Sequence, residues 1–325
     1  MTESSPPTPM PDLDLLVVGD INADVLVSDP ALAVEFGQVE RVVPHAGLTV
    51  GGSAAITAIG AARLGVRTGI VGVVGGDALG DLLLAQLRAG GVDVDLVRID
   101  PARATGLSVI LDRGGDRAIL TGLGTISDLA PSDLQAVPRG LARHVHVSSY
   151  FLMNDEYRAT LPGWLAEVRE HGASTSVDTN WDPDLRWDIE DLLRSCDWYF
   201  PNEAELEAST GTSVLNRSLE VIAELGAQVA VKRGSNGALA RTDDRMYRVR
   251  RTPPVDFVDA VGAGDTFDAG FLAGMLSGVD VGRCLAMGVT AGTLSTAGSG
   301  GTSAHLDRDG VELLAARLPV ETESL

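Results

Sequence analysis
Short apolar runs, each closed by glycine or a polar turn, recur along this chain. Residues 13–19 (LDLLVVG) and 68–74 (TGIVGVV) are nearly continuous apolar stretches, the pattern of strands buried on both faces. Further strand-like runs fall at 144–148, 175–178, 198–200, 228–232 and 237–240, with a weaker one at 39–43. Helical patterns occupy 54–64, 79–87, 156–171, 203–209, 217–226, 264–276 and 281–294. Strands spaced by such helices predict an α/β fold with three layers, its mostly parallel central sheet covered on both sides. The segment 104–121 differs, because two β-type runs flank a charged turn with two glycines and predict a hairpin. With strands from about 25–45 it is expected to form a small β-sheet lid. An exposed sheet of that kind needs cover, so a homodimer through the lid is expected.

The most informative chemistry lies in residues 259–267, DAVGAGDTF. Gly262, Ala263 and Gly264 precede a helical pattern, where open backbone N–H groups and the helix terminus favour an anion. Asp265 falls in the first turn as a candidate base. An anion cradle and a base in one turn suit phosphoryl transfer to a hydroxyl. The first strand ends in Asp20-Ile21-Asn22-Ala23-Asp24, where α/β sheets place ligand contacts. Gly51-Gly52-Ser53 opens a helix of small residues. No Gly-x-x-x-x-Gly-Lys-Ser/Thr loop occurs, so the phosphates must be held by the Gly262 turn.

Composition narrows the partners. A formal net charge of −20 over 325 residues argues against nucleic acid or an anionic membrane surface. No run approaches 18 uninterrupted apolar residues, so no spanning segment is expected. Cys196 and Cys284 sit apart in apolar contexts, as core thiols of a reducing, cytoplasmic compartment. Residues 1–11, with four prolines and no apolar signal core, are expected to be a disordered tail. One domain is expected over 12–315, followed by a C-terminal tail at 316–325.

Taken together, Gly51-Gly52-Ser53-Ala54-Ala55, the glycines through Gly80 and the 259–267 run resemble the PfkB, or ribokinase-like, family of carbohydrate kinases over about residues 13–310. The resemblance implies a ribokinase-like fold and ATP-dependent phosphorylation of a sugar hydroxyl, with Mg²⁺ required and K⁺ a further candidate. It implies Asp265 as catalytic base and the amides of Gly262, Ala263 and Gly264 as anion hole. Asn22, Asp24, Gly51, Gly52 and Ser53 match substrate-binding positions. Asn180, Asn202, Glu205, Lys232, Gly234, Ser235, Gly237 and Gly264 match positions near the nucleotide, Glu205 acting on Mg²⁺ indirectly. Asp259 and Gly298 fall where some members bind a monovalent cation.

Each position also has a plainer reading. Asn202 and Glu205 fit a helix capping box, Asp24 fits a turn, and Ser235 and Gly237 fit a flexible loop. The chain departs from sugar-binding members at Ser53 and Ile56, where they commonly carry Asn or Lys and then Asn. Residues His146, Ser148, Ser149 and Tyr150, at a strand end, are candidates to replace the lost hydrogen bonds. A nucleoside acceptor, and a non-catalytic protein that binds a metabolite to regulate a partner, are the competing readings.

Overall fold
The computed structural model describes residues 12–113, 117–304 and 307–325. Strand β1 (Leu13–Val18) is followed by β2 (Asn22–Ser28), β3 (His45–Gly51), α1 (Ser53–Arg63), β4 (Thr68–Gly75), α2 (Ala78–Ala89), β5 (Val92–Asp93), β6 (Val97–Asp100), β7 (Gly106–Asp112) and β8 (Arg117–Gly122). Next come α3 (Pro131–Gln135), β9 (Ala142–Ser148), α4 (Asp155–Glu170), β10 (Ser174–Asp178), α5 (Glu190–Arg194), β11 (Trp198–Tyr199), α6 (Glu203–Thr210), α7 (Leu215–Glu224) and β12 (Gln228–Lys232). The chain closes with β13 (Ala238–Arg241), β14 (Arg245–Val249), α8 (Ala263–Leu276), α9 (Val281–Ser295), α10 (Arg308–Ala315) and β15 (Glu321–Ser324).

The large sheet runs β15-β14-β13-β12-β11-β10-β9-β1-β4-β5, with β6 also pairing β4. From β12 across to β4 every pairing is parallel. The apolar run of β1 explains its central place. Leu15 and Val17 enter the core shared with α1, α8 and α9, while Leu16 and Val18 enter the core under α4 and α7. This is the three-layer α/β/α arrangement expected from the alternation. Parallel strands bring their C-terminal ends to one edge, where the ligand crevice of such sheets lies.

The second sheet, β3-β2-β7-β8, is the lid. Two of its strands lie at 22–28 and 45–51, at either end of the stretch of about 25–45 expected to supply them. Residues 39–43 form no strand: Val39 and Val42 stand in solvent, with no sheet face to bury them. The C-terminal segment also differs from a simple tail, because β15 extends the large sheet against β14. Backbone pairing and the ion pairs Arg248–Glu323 and Arg250–Glu321 hold it there, with no apolar residue in the strand to mark it. The tail expected at 1–11 lies outside the described residues.

Candidate active site
The glycine-rich run becomes the start of α8. Gly262 takes φ +73° as the residue before the helix, and a Cβ there would lie 2.5 Å from the Gly301 Cα. Only glycine meets both conditions without strain. The Thr266 amide donates to the Gly262 carbonyl at 2.9 Å, so the amides before it precede the regular helical ladder. The Ala263 amide is engaged, donating to the Ala260 carbonyl at 3.3 Å. Of the three expected anion-hole members, Gly262 and Gly264 line the cavity described next, and Ala263 does not.

Asp259 has a structural task here. Its two carboxylate oxygens accept from the Val261 and Gly300 amides, each at 2.9 Å, and clasp the 298–301 segment to the turn. Gly298 packs against Ser303 and Ala304. This geometry is a clasp, and it gives the expected monovalent-cation role no support.

A cavity of about 600 Å³ opens between the lid and the C-terminal strand ends. The expected residues Asn22, Asp24, Gly52 and Ser53 line it beside Asp265. The Asn22 amide donates to Asp24 at 2.8 Å and to Ser108 at 3.4 Å. Burial, reinforced by the charges of Asp20 and Asp259, pushes Asp24 up to about 7. Gly51 does not line the cavity; a Cβ at this residue would stand 2.1 Å from an Asp24 oxygen, so its bareness makes room for that carboxylate. Asn180 faces the same cavity, donating to Ser53 Oγ at 2.8 Å and accepting the Ser149 amide at 2.9 Å.

The strand-end candidates divide. Ser149 reaches the cavity, whereas His146 is wholly buried, bonded through Nδ1 to Ser176 at 2.7 Å and packed near Phe200. Residues 144, 146 and 148 share one sheet face inside the core, and only the residue after the strand emerges. Tyr150 lies instead beneath Arg158, in a separate surface recess. The lid adds three further polar groups to the cavity: Ser108, Thr121 and Arg117. None was singled out from sequence, since strand register alone brings them there.

A second cavity, about 400 Å³, lies on the other side of the Gly262 turn and is mainly apolar, with Val255, Phe257, Phe267 and Val289 in its wall. Gly234, Ser235 and Gly237 line it. Arg233 is there too, paired with Glu203 at 2.7 Å. The two cavities share Lys232, Gly234, Ala260 and Gly264. Their meeting point is the first turn of α8.

Lys232 does not reach out toward either space as a free base. Its ammonium lies 2.6 Å from Asp178 and 3.3 Å from Asp268, both carboxylates buried. Burial opposes its charge, yet Asp178, Asp268 and Glu205 hold it protonated above the ordinary lysine range. Burial would also raise Asp178, but Lys232 pulls it below the usual carboxylate value. Asp268 is raised by burial despite the same lysine. Burial and the Asp178 charge push Asp265 up to about 7, with Lys232 acting in the opposite direction.

Oxygens of Asp178, Asp265 and Asp268 lie within 4.8 Å of one another, a grouping that could hold a cation. In this protein the Lys232 ammonium already contacts two of the three. Glu205, the carboxylate expected to act on Mg²⁺, is not one of these three. It completes a capping box with Asn202, accepting the Asn202 amide at 2.8 Å while its own amide donates to Asn202 at 2.9 Å. It also lines the cavity, raised to about 7 by burial and the Asp178 charge. One carboxylate with waters and phosphate oxygens is ordinary for this ion. The capping-box reading of the Asn-x-x-Glu element holds, and the same carboxylate faces the cavity.

Known proteins resemble the chain along nearly its whole length. The model of the pfkB family of carbohydrate kinases matches residues 12–308. An ATP-dependent ribose-1-phosphate kinase of Halopiger xanaduensis is 32% identical over 297 residues, covering 89% of this chain and 94% of its own. An Escherichia coli chain assigned as ribokinase II, solved with ATP and Mg²⁺, superposes with TM-score 0.82 at 25% identity, covering 94% of this chain and 99% of the other. Arabidopsis thaliana ribokinase, solved with ribose and ATP, gives TM-score 0.78 at 27% identity over 93% of this chain and 98% of that one.

Proposed function
Because the chain belongs to the pfkB family of carbohydrate kinases and is an ATP- and Mg²⁺-dependent enzyme of that class, we propose that it transfers the γ-phosphoryl group of ATP to a sugar hydroxyl with Asp265 as base. One observation carries this reading. The two cavities meet at Gly264, and Asp265 lines the larger one at that junction. A donor held on the Phe257 side and an acceptor held on the Asp24 side would face each other across the α8 turn.

Asn22 and Asp24 bind acceptor hydroxyls, the carboxylate accepting from vicinal groups. Asp265 orients the attacking hydroxyl and takes its proton as the new bond forms. Gly262 and Gly264 receive charge on the transferring group at the positive end of α8. Lys232, Gly234, Ser235, Gly237 and Asn202 lie along the path of the phosphates, and Lys232 acts there through the carboxylates it holds. Glu205 would hold Mg²⁺ through water, and that ion supplies neutralisation of phosphate charge when the nucleotide is bound. The lid sheet, facing the acceptor, excludes water and suppresses hydrolysis.

The same reading places this enzyme in the cytoplasm, where the buried free thiols Cys196 and Cys284 would stay reduced. Among the described residues no helix is long and apolar enough to cross a membrane. Strand β8, exposed along its whole length, supports a homodimer through the lid; sedimentation at several protein concentrations tests it. A nucleoside acceptor draws support from the apolar wall of Ile110, Ile119 and Trp181. The reading is tested by ADP release with Mg-ATP against sugars, sugar acids, sugar phosphates and nucleosides. Acceptor-dependent release that fails in Asp265→Asn supports it, and ATP binding with no acceptor-dependent release contradicts it.

A further inference from the structure
The lid presents an ordered face to the acceptor cavity. Residues two apart on a strand share a face, and Arg117, Ile119 and Thr121 of β8 all line the cavity. Register sets them in rows. Thr121 pairs with Ser108, which pairs with Asp24; Ile119 pairs with Ile110, which pairs with Leu26; Arg117 pairs with Asp112, which pairs with Ser28. The floor therefore passes from hydroxyl-binding groups, over an apolar strip, to a guanidinium. Thr121 and Arg117 stand four positions apart on the extended strand, roughly 13 Å along the backbone.

Arg117 has no hydrogen-bond or ion-pair partner among the described residues. Asp112 stands directly across from it, a position where opposite charges ordinarily attract. The Asp112 carboxylate instead accepts from Ser28 Oγ at 2.8 Å. Lys232, the other cation lining this cavity, is held by Asp178 and Asp268. Arg117 is thus the one basic side chain of the described cavity wall left for a ligand. The inner end is its opposite in charge, holding Asp20, Asp24, Asp178, Glu205 and Asp265.

This charge gradient orients an acceptor. An anionic group entering first would meet carboxylates, whereas one trailing would meet a fork that matches phosphate or carboxylate oxygens in pairs. We propose that the acceptor is a sugar carrying an anionic group, phosphate or carboxylate, remote from the hydroxyl that receives the new phosphoryl group, and that Arg117 binds that group. The inference rests on the kinase reading above and names its substrate class.

The test compares kcat/KM of the full chain, with Mg-ATP, on ribose, ribose 1-phosphate, fructose 6-phosphate and a 2-keto-3-deoxy sugar acid, for the wild type, Arg117→Ala and Arg117→Lys. An anionic acceptor is expected to exceed its neutral parent about 100-fold, the scale of one charge-assisted contact pair. Arg117→Ala should cut that preference at least tenfold, mainly through KM, and Arg117→Lys should keep part of it, its point charge lacking the fork. The phosphate and acid arms decide which anion is preferred. Turnover best on neutral sugars, or a preference untouched in Arg117→Ala, would overturn the inference while leaving the kinase standing. Silence on every acceptor counts against the kinase reading. Calorimetric titration with ribose 1-phosphate then still decides the Arg117 assignment, since equal affinity in wild type and Arg117→Ala overturns it.

Discussion

Lys232 on β12 donates to Asp178 on β10 across 2.6 Å, with the two side chains only 12% and 4% exposed. Strand β11 lies between them, so the pair spans one strand of the sheet and meets Asp268 from the helix above. Removing the cation while leaving both carboxylates buried is the costly half of such a substitution. Lys232→Met should lower stability by about 3–5 kcal/mol, measured by urea denaturation. Lys232→Met combined with Asp268→Asn should recover part of the loss. A double variant less stable than the single one would contradict this account of the cluster.

As the proposed base, Asp265 must be ionised to act, and its burial raises it to about 7. Activity is therefore gained as pH rises: kcat/KM should climb through about pH 7 and level off above it. Asp24 and Glu205 are raised to the same region, so Asp24→Asn, with a higher acceptor KM, should keep the limb. A profile flat from acid to alkaline pH in the wild type would exclude Asp265 as the titrating base.

Gly262→Ala should impair both stability and turnover. A side chain at φ +73° costs roughly 1–2 kcal/mol, and the new Cβ must displace Gly301 or the turn itself. A turn shifted off the transferring group should cost turnover about 100-fold. Thermal melting and steady-state kinetics on the same preparation separate the two effects. Wild-type turnover with a lowered Tm would show that the turn does not hold the reacting group.

Two buried histidines shape the acid limb of stability. His144 bonds Ser174 and Ser176, each at 2.7 Å, and burial holds it down to about 3; His146 is held at about 4. The unfolded chain protonates both from about 6.5 downward, so their share of stability is complete above that value and is lost as pH falls. Each costs up to about 1.4 kcal/mol per pH unit in that window. Asp24, Asp265 and Glu205, raised by folding, act oppositely, their share being lost as pH rises from about 4 toward 7. His144→Gln should leave the carboxylates alone and flatten the loss below pH 6.5. An acid limb as steep in the variant as in wild type would contradict the assignment.

How much of this was legible in the sequence depended on range. Gly262, Gly264 and Asp265 declare themselves because glycine spacing, helix start and carboxylate sit within one turn. The Asn202–Glu205 box is equally local. The Lys232–Asp178–Asp268 cluster is not, since it needs β10, β11 and β12 in order and α8 above them, and Lys232 read as a nucleotide contact from its loop alone. Arg117 and Thr121 reach the cavity through lid register, which no periodicity encodes. His146 misled because proximity to a strand end does not say which residue emerges, and β15 was silent because polar residues hold it.

The most direct test of the central claim follows the label from γ-³²P-ATP with an accepted sugar, in wild type and Asp265→Asn at pH 8. Transfer to the sugar hydroxyl is expected in the wild type, falling about 1,000-fold in a variant that melts no lower, the scale of a lost general base. Label released only as inorganic phosphate, or transferred to the sugar at the wild-type rate by Asp265→Asn, would contradict it.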